Sequence, residues 1–172
     1  MVVKGKLIMA NQNRQTDIQE FLSQKTFAVV GLSRNGKEFS NAIYNQLKNA
    51  GYSVYGVNPH SAEIAGEPCY PDLSSLPRKV DGVVIVVPPI LSEAIVRTAA
   101  EAGIKRVWIH QGAASMRAAE TARKLGMSVI DGECLFMHLN PVKGGHAFHR
   151  WMRSLVGHMP LADHHTTQKA DT

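Results

Sequence analysis

Short apolar runs alternate along the chain with longer stretches in which apolar residues recur at helical spacing, and glycine or proline separates one from the next. Phe27 to Val30 form an unbroken apolar run without alternation, as expected of a strand buried on both faces. Gly31 ends it. Ile43, Leu47 and Ala50 then recur at i, i+4 and i+7, which predicts a helix beginning near Glu38 and stopping at Gly51, with Asn41, Asn45 and Lys48 facing water. A second strand is expected from Tyr52 to Val57, closing on Asn58-Pro59. The stretch from His60 to Lys79 holds Gly66, Pro68, Pro71 and Pro77 and reads as a loop with one helical turn. Asp81 to Val87 is the most apolar strand, and Pro88-Pro89 stop it because proline cannot continue a ladder. The rest repeats the rhythm. Ser92 caps a helix to Ala102 with Ile95, Val96 and Ala99 inward, Val107 to Ile109 form a strand, and Ser115 opens a helix to about Leu125 with Ala118, Ala119 and Ala122 inward. A last short strand runs from Met127 to Ile130. Ahead of the first strand, Ile18, Phe21 and Leu22 predict a short helix from Thr16 to Gln24.

Strands alternating with helices specify an α/β fold, a doubly wound parallel sheet of about five strands in a single domain. That domain is expected over residues 14–160, ending in a helical extension from His146, with residues 1–13 and 161–172 as disordered termini. A chain of 172 residues with 44% hydrophobic and 19% charged residues suits one well-buried core. No apolar run approaches the roughly 18 residues that span a membrane, and the start lacks an apolar signal core, so a cytoplasmic protein without a membrane partner is expected. The net charge of +5 comes from singly spread lysines and arginines, a pattern that does not suit nucleic acid. Cys69 and Cys134 stand far apart and read as reduced, inert thiols, the latter packed among Leu135, Phe136 and Met137.

The candidate chemistry gathers where strands end. After the first strand, Gly31 leads a polar loop into a helix start, where backbone N–H groups and the helix dipole favour a phosphate, assisted by Arg34, Lys37 and the Ser33 and Ser40 hydroxyls. The same residues also fit an ordinary strand-to-helix turn that binds nothing. Asn58-Pro59 stands where a dinucleotide site would carry an acid for the ribose hydroxyls, and G-L-S-R-N-G lacks the later glycines of G-x-G-x-x-G, so NAD is disfavoured. Pro88-Pro89 form a rigid apolar turn on which a flat base could rest, or a mere strand stop. His110, followed by Gln111-Gly112, is the best-placed titratable group and reads as lining a pocket. Ser33, Ser40 and His110 come without a G-x-S-x-G elbow, and Cys134, His138, His146 and His149 match no common zinc spacing, so neither a triad nor a metal is expected.

VVGLS at 29–33, VNP at 57–59, VVPP at 86–89 and IHQGAAS at 109–115, in this order, resemble the CoA-binding domain family, the Rossmann-like domain also seen at the N-terminus of the succinyl-CoA synthetase α subunit. The resemblance covers about Thr26 to Cys134. It implies that Gly31, Ser33, Arg34 and Lys37 contact the CoA phosphates, and that Asn58, Pro59, Val87, Pro88 and Pro89 enclose the adenosine. The phosphohistidine domain and grasp-type partner of the synthetase have no counterpart here, so catalysis is not implied. The expectation is a non-catalytic protein that holds coenzyme A or an acyl-CoA at the C-terminal edge of the sheet. The alternatives are an NAD(P)-dependent oxidoreductase and a CoA-binding subunit of an acyl-CoA ligase that needs a partner; a homodimer or another protein partner is left open.

Overall fold

Phe27 to Val30 are buried to 4% exposure or less because the strand they form is paired on both sides. In the computed structural model, which describes residues 13–139, a helix over residues 13–22 (α1) leads into this strand, β1 (Thr26–Val30). There follow α2 (Phe39–Asn49), β2 (Ser53–Val57), β3 (Glu63–Ile64), β4 (Glu67–Tyr70), β5 (Gly82–Ile85), α3 (Pro89–Glu101), β6 (Arg106–His110), α4 (Met116–Lys124) and β7 (Ser128–Glu133). The strands form one sheet in the order β3-β4-β2-β1-β5-β6-β7, parallel except for β3. This is the doubly wound arrangement expected. The terminus through residue 12, the helical extension expected from His146 and the tail lie outside the described residues. Among the described residues no helix is long and apolar enough to cross a membrane.

Seven strands replace the expected five, and the two additions lie in the segment read as a loop. Ala65 (φ 53°) and Gly66 (φ 81°) form a two-residue turn with both residues left-handed, the geometry that joins twisted antiparallel strands tightly. Strands of two and four residues are too short to show a period. β4 docks in parallel beside β2, with Cys69 opposite Gly56.

The helices carry further corrections. Pro89 is the first residue of α3, where its fixed φ and missing N–H cost nothing, so the two prolines end one element and start the next. Ser92 is therefore no cap; it is fully buried inside the helix and its hydroxyl donates to the Ala113 carbonyl at 2.8 Å. Asn41, expected in water, is 4% exposed, whereas Ala50, expected inward, is exposed. The α4 expectation holds: Ser115 caps it by accepting from the Ala118 N–H, and Ala118, Ala119 and Ala122 are buried. β7 runs on to Glu133, and the Trp108 indole donates to the Glu133 carbonyl at 3.0 Å. α1 closes one face through Phe21, whose ring stacks on Phe27 with centroids 4.8 Å apart and meets Trp108 edge-on at 5.4 Å.

The chain leaves β1 toward β2 on one side and returns past it to β5 on the other, so the β1/β5 seam is the point where strand order reverses. Gly31 sits in that seam with φ +102°, its N–H donating to the Val57 carbonyl at 3.1 Å. A Cβ there would lie 2.3 Å from the Val86 carbonyl oxygen and 2.8 Å from Val87 Cγ1. A side chain at this position would force β1 and β5 apart. Gly31→Ala is expected to destabilise the protein by about 2–5 kcal/mol, the sum of a left-handed non-glycine residue and an overpacked backbone contact. Urea unfolding measures it; a loss under about 1 kcal/mol would show that the seam opens freely.

Candidate functional site

The loop from Gly31 to Glu38 is held by side-chain amides at both ends. Leu32 turns inward and is 4% exposed, filling space beside Gly56, where a Cβ would come within 2.4 Å of its Cδ1. The Asn58 amide donates to the Leu32 carbonyl, and its oxygen accepts from the His60 N–H at 2.7 Å. Asn41 reaches back eight residues to Ser33, accepting from the Ser33 N–H at 3.1 Å and donating to the Ser33 carbonyl at 3.0 Å. One buried amide thus satisfies both backbone groups of the residue at the loop's bend. At the tip, Asn35 Oδ1 accepts from the Ser33 hydroxyl and the Lys37 N–H, each at 3.0 Å, and the Gly36 N–H donates to the Ser33 carbonyl.

This scaffold puts the loop against the start of α2, where Glu38 makes no side-chain cap and accepts from the Asn41 N–H at 3.0 Å through its carbonyl. Arg34 and Lys37 are exposed there, and among the described ion pairs neither takes part. Two cations beside a helix N-terminus form a field suited to a polyanion. Ser40, by contrast, is 5% exposed in the first turn of α2, its hydroxyl 3.4 Å from Asn41 Oδ1. Asn58 is 9% exposed with its amide used within the chain, while Pro59 beside it is exposed. Across the seam, Val87 is half-buried and Pro88 and Pro89 are exposed.

His110 ends β6 on the same edge. It is 5% exposed, packs against the Phe39 ring with centroids 4.8 Å apart, and accepts from the Gly112 N–H through Nδ1 at 3.4 Å. Its Nε2 is buried with no hydrogen-bond partner. Burial pushes its pKa down to about 4, so the ring is neutral near pH 7. Gln111 and Gly112 form an exposed turn just beyond it. The positions after β1, β2, β5 and β6 thus lie along one edge of the sheet, although Ser40 and the Asn58 amide face inward. Asn41 and Phe39 escaped the sequence reading because their partners, Ser33 and His110, lie beyond any local pattern, whereas the Asn35 turn, bonded two residues away on each side, carried a local signal that could have found it.

A cavity of about 120 Å³ opens beside the loop, walled by Leu32, Gly36, Asn41, Tyr44, Ile64 and Cys69. It is smaller than the roughly 300 Å³ at which ligand pockets begin. Cys69 is 6% exposed in its wall, and burial raises its thiol pKa, so it stays protonated and inert. Cys134 is half-buried after β7. Among the described residues no cluster of three metal-ligating side chains occurs.

A doubly wound sheet with a glycine-led loop at its switch point is the architecture of Rossmann-like domains, which bind ligands at this edge. A family model described as a CoA binding domain matches residues 25–140, and the chain belongs to that family. It is 32% identical over 123 residues to acetate–CoA ligase (ADP-forming) I of Archaeoglobus fulgidus, a match that covers 66% of this chain and 18% of that protein. The corresponding ligase of Methanocaldococcus jannaschii is 26% identical over 152 residues, covering 77% of this chain and 22% of that one. The chain therefore spans less than a quarter of these curated relatives. Among solved structures, a hypothetical protein from Pyrococcus horikoshii superposes with a TM-score of 0.67 at 31% identity, covering 72% of this chain and 87% of that one.

The buried imidazole has a consequence for stability. Its folded pKa of about 4 lies below the ordinary 6.5, so the unfolded chain binds a proton that the folded chain refuses. The stability this group supports is complete above pH 6.5 and is lost as the pH falls toward 4, by an amount on the order of 2–3 kcal/mol. Urea unfolding of the parent and of His110→Phe at pH 7 and pH 4.5 tests this: the parent should lose more stability than the variant, and equal losses would contradict it.

Proposed function

We propose that this chain binds coenzyme A, free or acylated, along the C-terminal edge of its sheet, and that it acts as a binding module and not as a self-sufficient catalyst. The observation that carries this reading is the polarity of that edge. Arg34 and Lys37 stand at its β1 side beside the start of α2. On the β5–β7 side, large apolar residues are left in water: Ile90 at 86% exposure and Leu91 at 50% open α3, Met116 at 79% opens α4, and Met137 at 70% follows β7. Coenzyme A has the matching asymmetry, a phosphorylated adenosine joined to a long uncharged arm. Its phosphates would meet Gly31, Ser33, Arg34, Lys37 and the α2 start at Ser40, and its adenosine the walls formed by Asn58-Pro59 and Val87-Pro88-Pro89. The arm would run toward His110, Gln111 and Gly112.

The end of β2 speaks against NAD, because the Asn58 amide is engaged by Leu32 and His60 and no acid stands there for the ribose hydroxyls. A second reading is favoured by the relatives. The matched acetate–CoA ligases are several-fold larger than the region matched here, which supports a CoA-binding subunit that works with a separate catalytic partner.

Titration calorimetry with CoA, NAD, NADP and ATP should show CoA bound most tightly. Micromolar NAD binding with no CoA heat would sink the proposal. Replacing both Arg34 and Lys37 by Ala should weaken CoA binding, each charge-assisted contact being worth on the order of 1.5–3 kcal/mol. Because the two share one ligand, their effects need not add. A folded double variant that binds CoA like the parent would move the phosphates elsewhere.

A further inference from the structure

The Nε2 of His110 is the one buried side-chain nitrogen or oxygen among the described residues that has no hydrogen-bond partner. An orphan of this kind costs roughly 1–3 kcal/mol and calls for a reason. The other ring nitrogen fixes what it is. Nδ1 accepts from the Gly112 N–H, so in the neutral ring Nε2 carries the proton and is a donor. The Phe39 ring packs tilted at 54° against the imidazole, a contact that substitutes only weakly for a hydrogen bond. Phe39 itself is half-buried, and it is the first residue of α2, directly after the Gly31–Glu38 loop. It also meets Phe136 edge-on, with centroids 5.3 Å apart. Phe39 thus packs on the imidazole from the start of α2.

We infer that the Nε2–H of His110 is a ligand-binding donor that engages a carbonyl oxygen of the uncharged arm of CoA once the Phe39 ring turns aside. This rests on the reading of the edge as a CoA site and assigns one residue of the chain to the arm. An uncharged donor at the β6 end, on the apolar side of the edge and two strands from the β1 loop that carries Arg34 and Lys37, suits a neutral acceptor better than a phosphate. The arm offers two kinds of such oxygen, those of its amides and, in an acyl-CoA, that of the thioester.

The test is calorimetry of the parent, His110→Phe and His110→Gln with adenosine 3′,5′-bisphosphate, which lacks the arm, with CoA, and with acetyl-CoA. His110→Phe should bind the bisphosphate as the parent does and bind the carbonyl-bearing ligand roughly three- to tenfold more weakly, with His110→Gln, which keeps a donor, in between. Equal weakening with CoA and acetyl-CoA identifies an amide carbonyl, and weakening with acetyl-CoA alone identifies the thioester. Equal loss for all three ligands, or loss for none, overturns the inference. Should His110→Phe fail to fold, the imidazole N–H resonance of the parent decides: it should shift downfield on adding CoA or acetyl-CoA and stay in place with the bisphosphate, and no shift with bound acetyl-CoA overturns the inference. A parent that binds none of the ligands removes the CoA reading itself, a result distinct from the failure of this assignment.

Discussion

The contact between the Gly31 backbone and the Val86 carbonyl sets the geometry of everything around it. Only a residue without Cβ, at a positive φ, lets the chain leave β1 while β5 lies against it, because the missing atom would sit 2.3 Å from that oxygen. The seam is also the place where strand order reverses, so the loop that Gly31 starts emerges at a cleft between chain segments running to opposite sides of the sheet. Packing and site are the same constraint here.

Around that seam the polar interactions are local and buried, and they act on the loop more than on the core. The core is built from the aliphatic strands β1, β5 and β6 with the small residues of α3 and α4 packed on them. The loop has little apolar surface of its own beyond Leu32, so its shape depends on the two amides of Asn41 and Asn58. A buried amide with all its partners in place holds one backbone conformation, and losing a partner would leave a polar group stranded. This leaves Arg34 and Lys37 on a fixed support, with their charged ends in water.

The edge that results is chemically uneven. Cations stand near β1, apolar side chains stand near β5 to β7, and a neutral imidazole ends β6 on the apolar side with one nitrogen unused. Its neutrality follows from burial, not from an ionic neighbour. A long ligand with one charged end would meet each of these environments in turn.

Strand runs such as Phe27–Val30 and Gly82–Ile85 were legible because burial on both faces demands continuous apolar residues. Gly31 and Pro88-Pro89 were legible because each has a backbone property that no context alters, whereas serine caps a helix at Ser115 and lies buried inside one at Ser92. The sequence by itself therefore determined the layered fold, the alternation of strands and helices outside the β3–β4 hairpin, and the position of the loop. Only the tertiary structure decided which polar residues face inward. Asn41 reads as solvent-facing and Ser92 as a helix cap, yet each finds a partner made available by folding, the Ser33 backbone and the Ala113 carbonyl. The β3–β4 hairpin was hidden because its strands are shorter than any readable period, and the burial of His110 because Phe39 comes from an element 71 positions away. Polarity in a sequence reports what a side chain would prefer in water; whether a buried partner meets it is settled by contacts between segments that the sequence keeps apart.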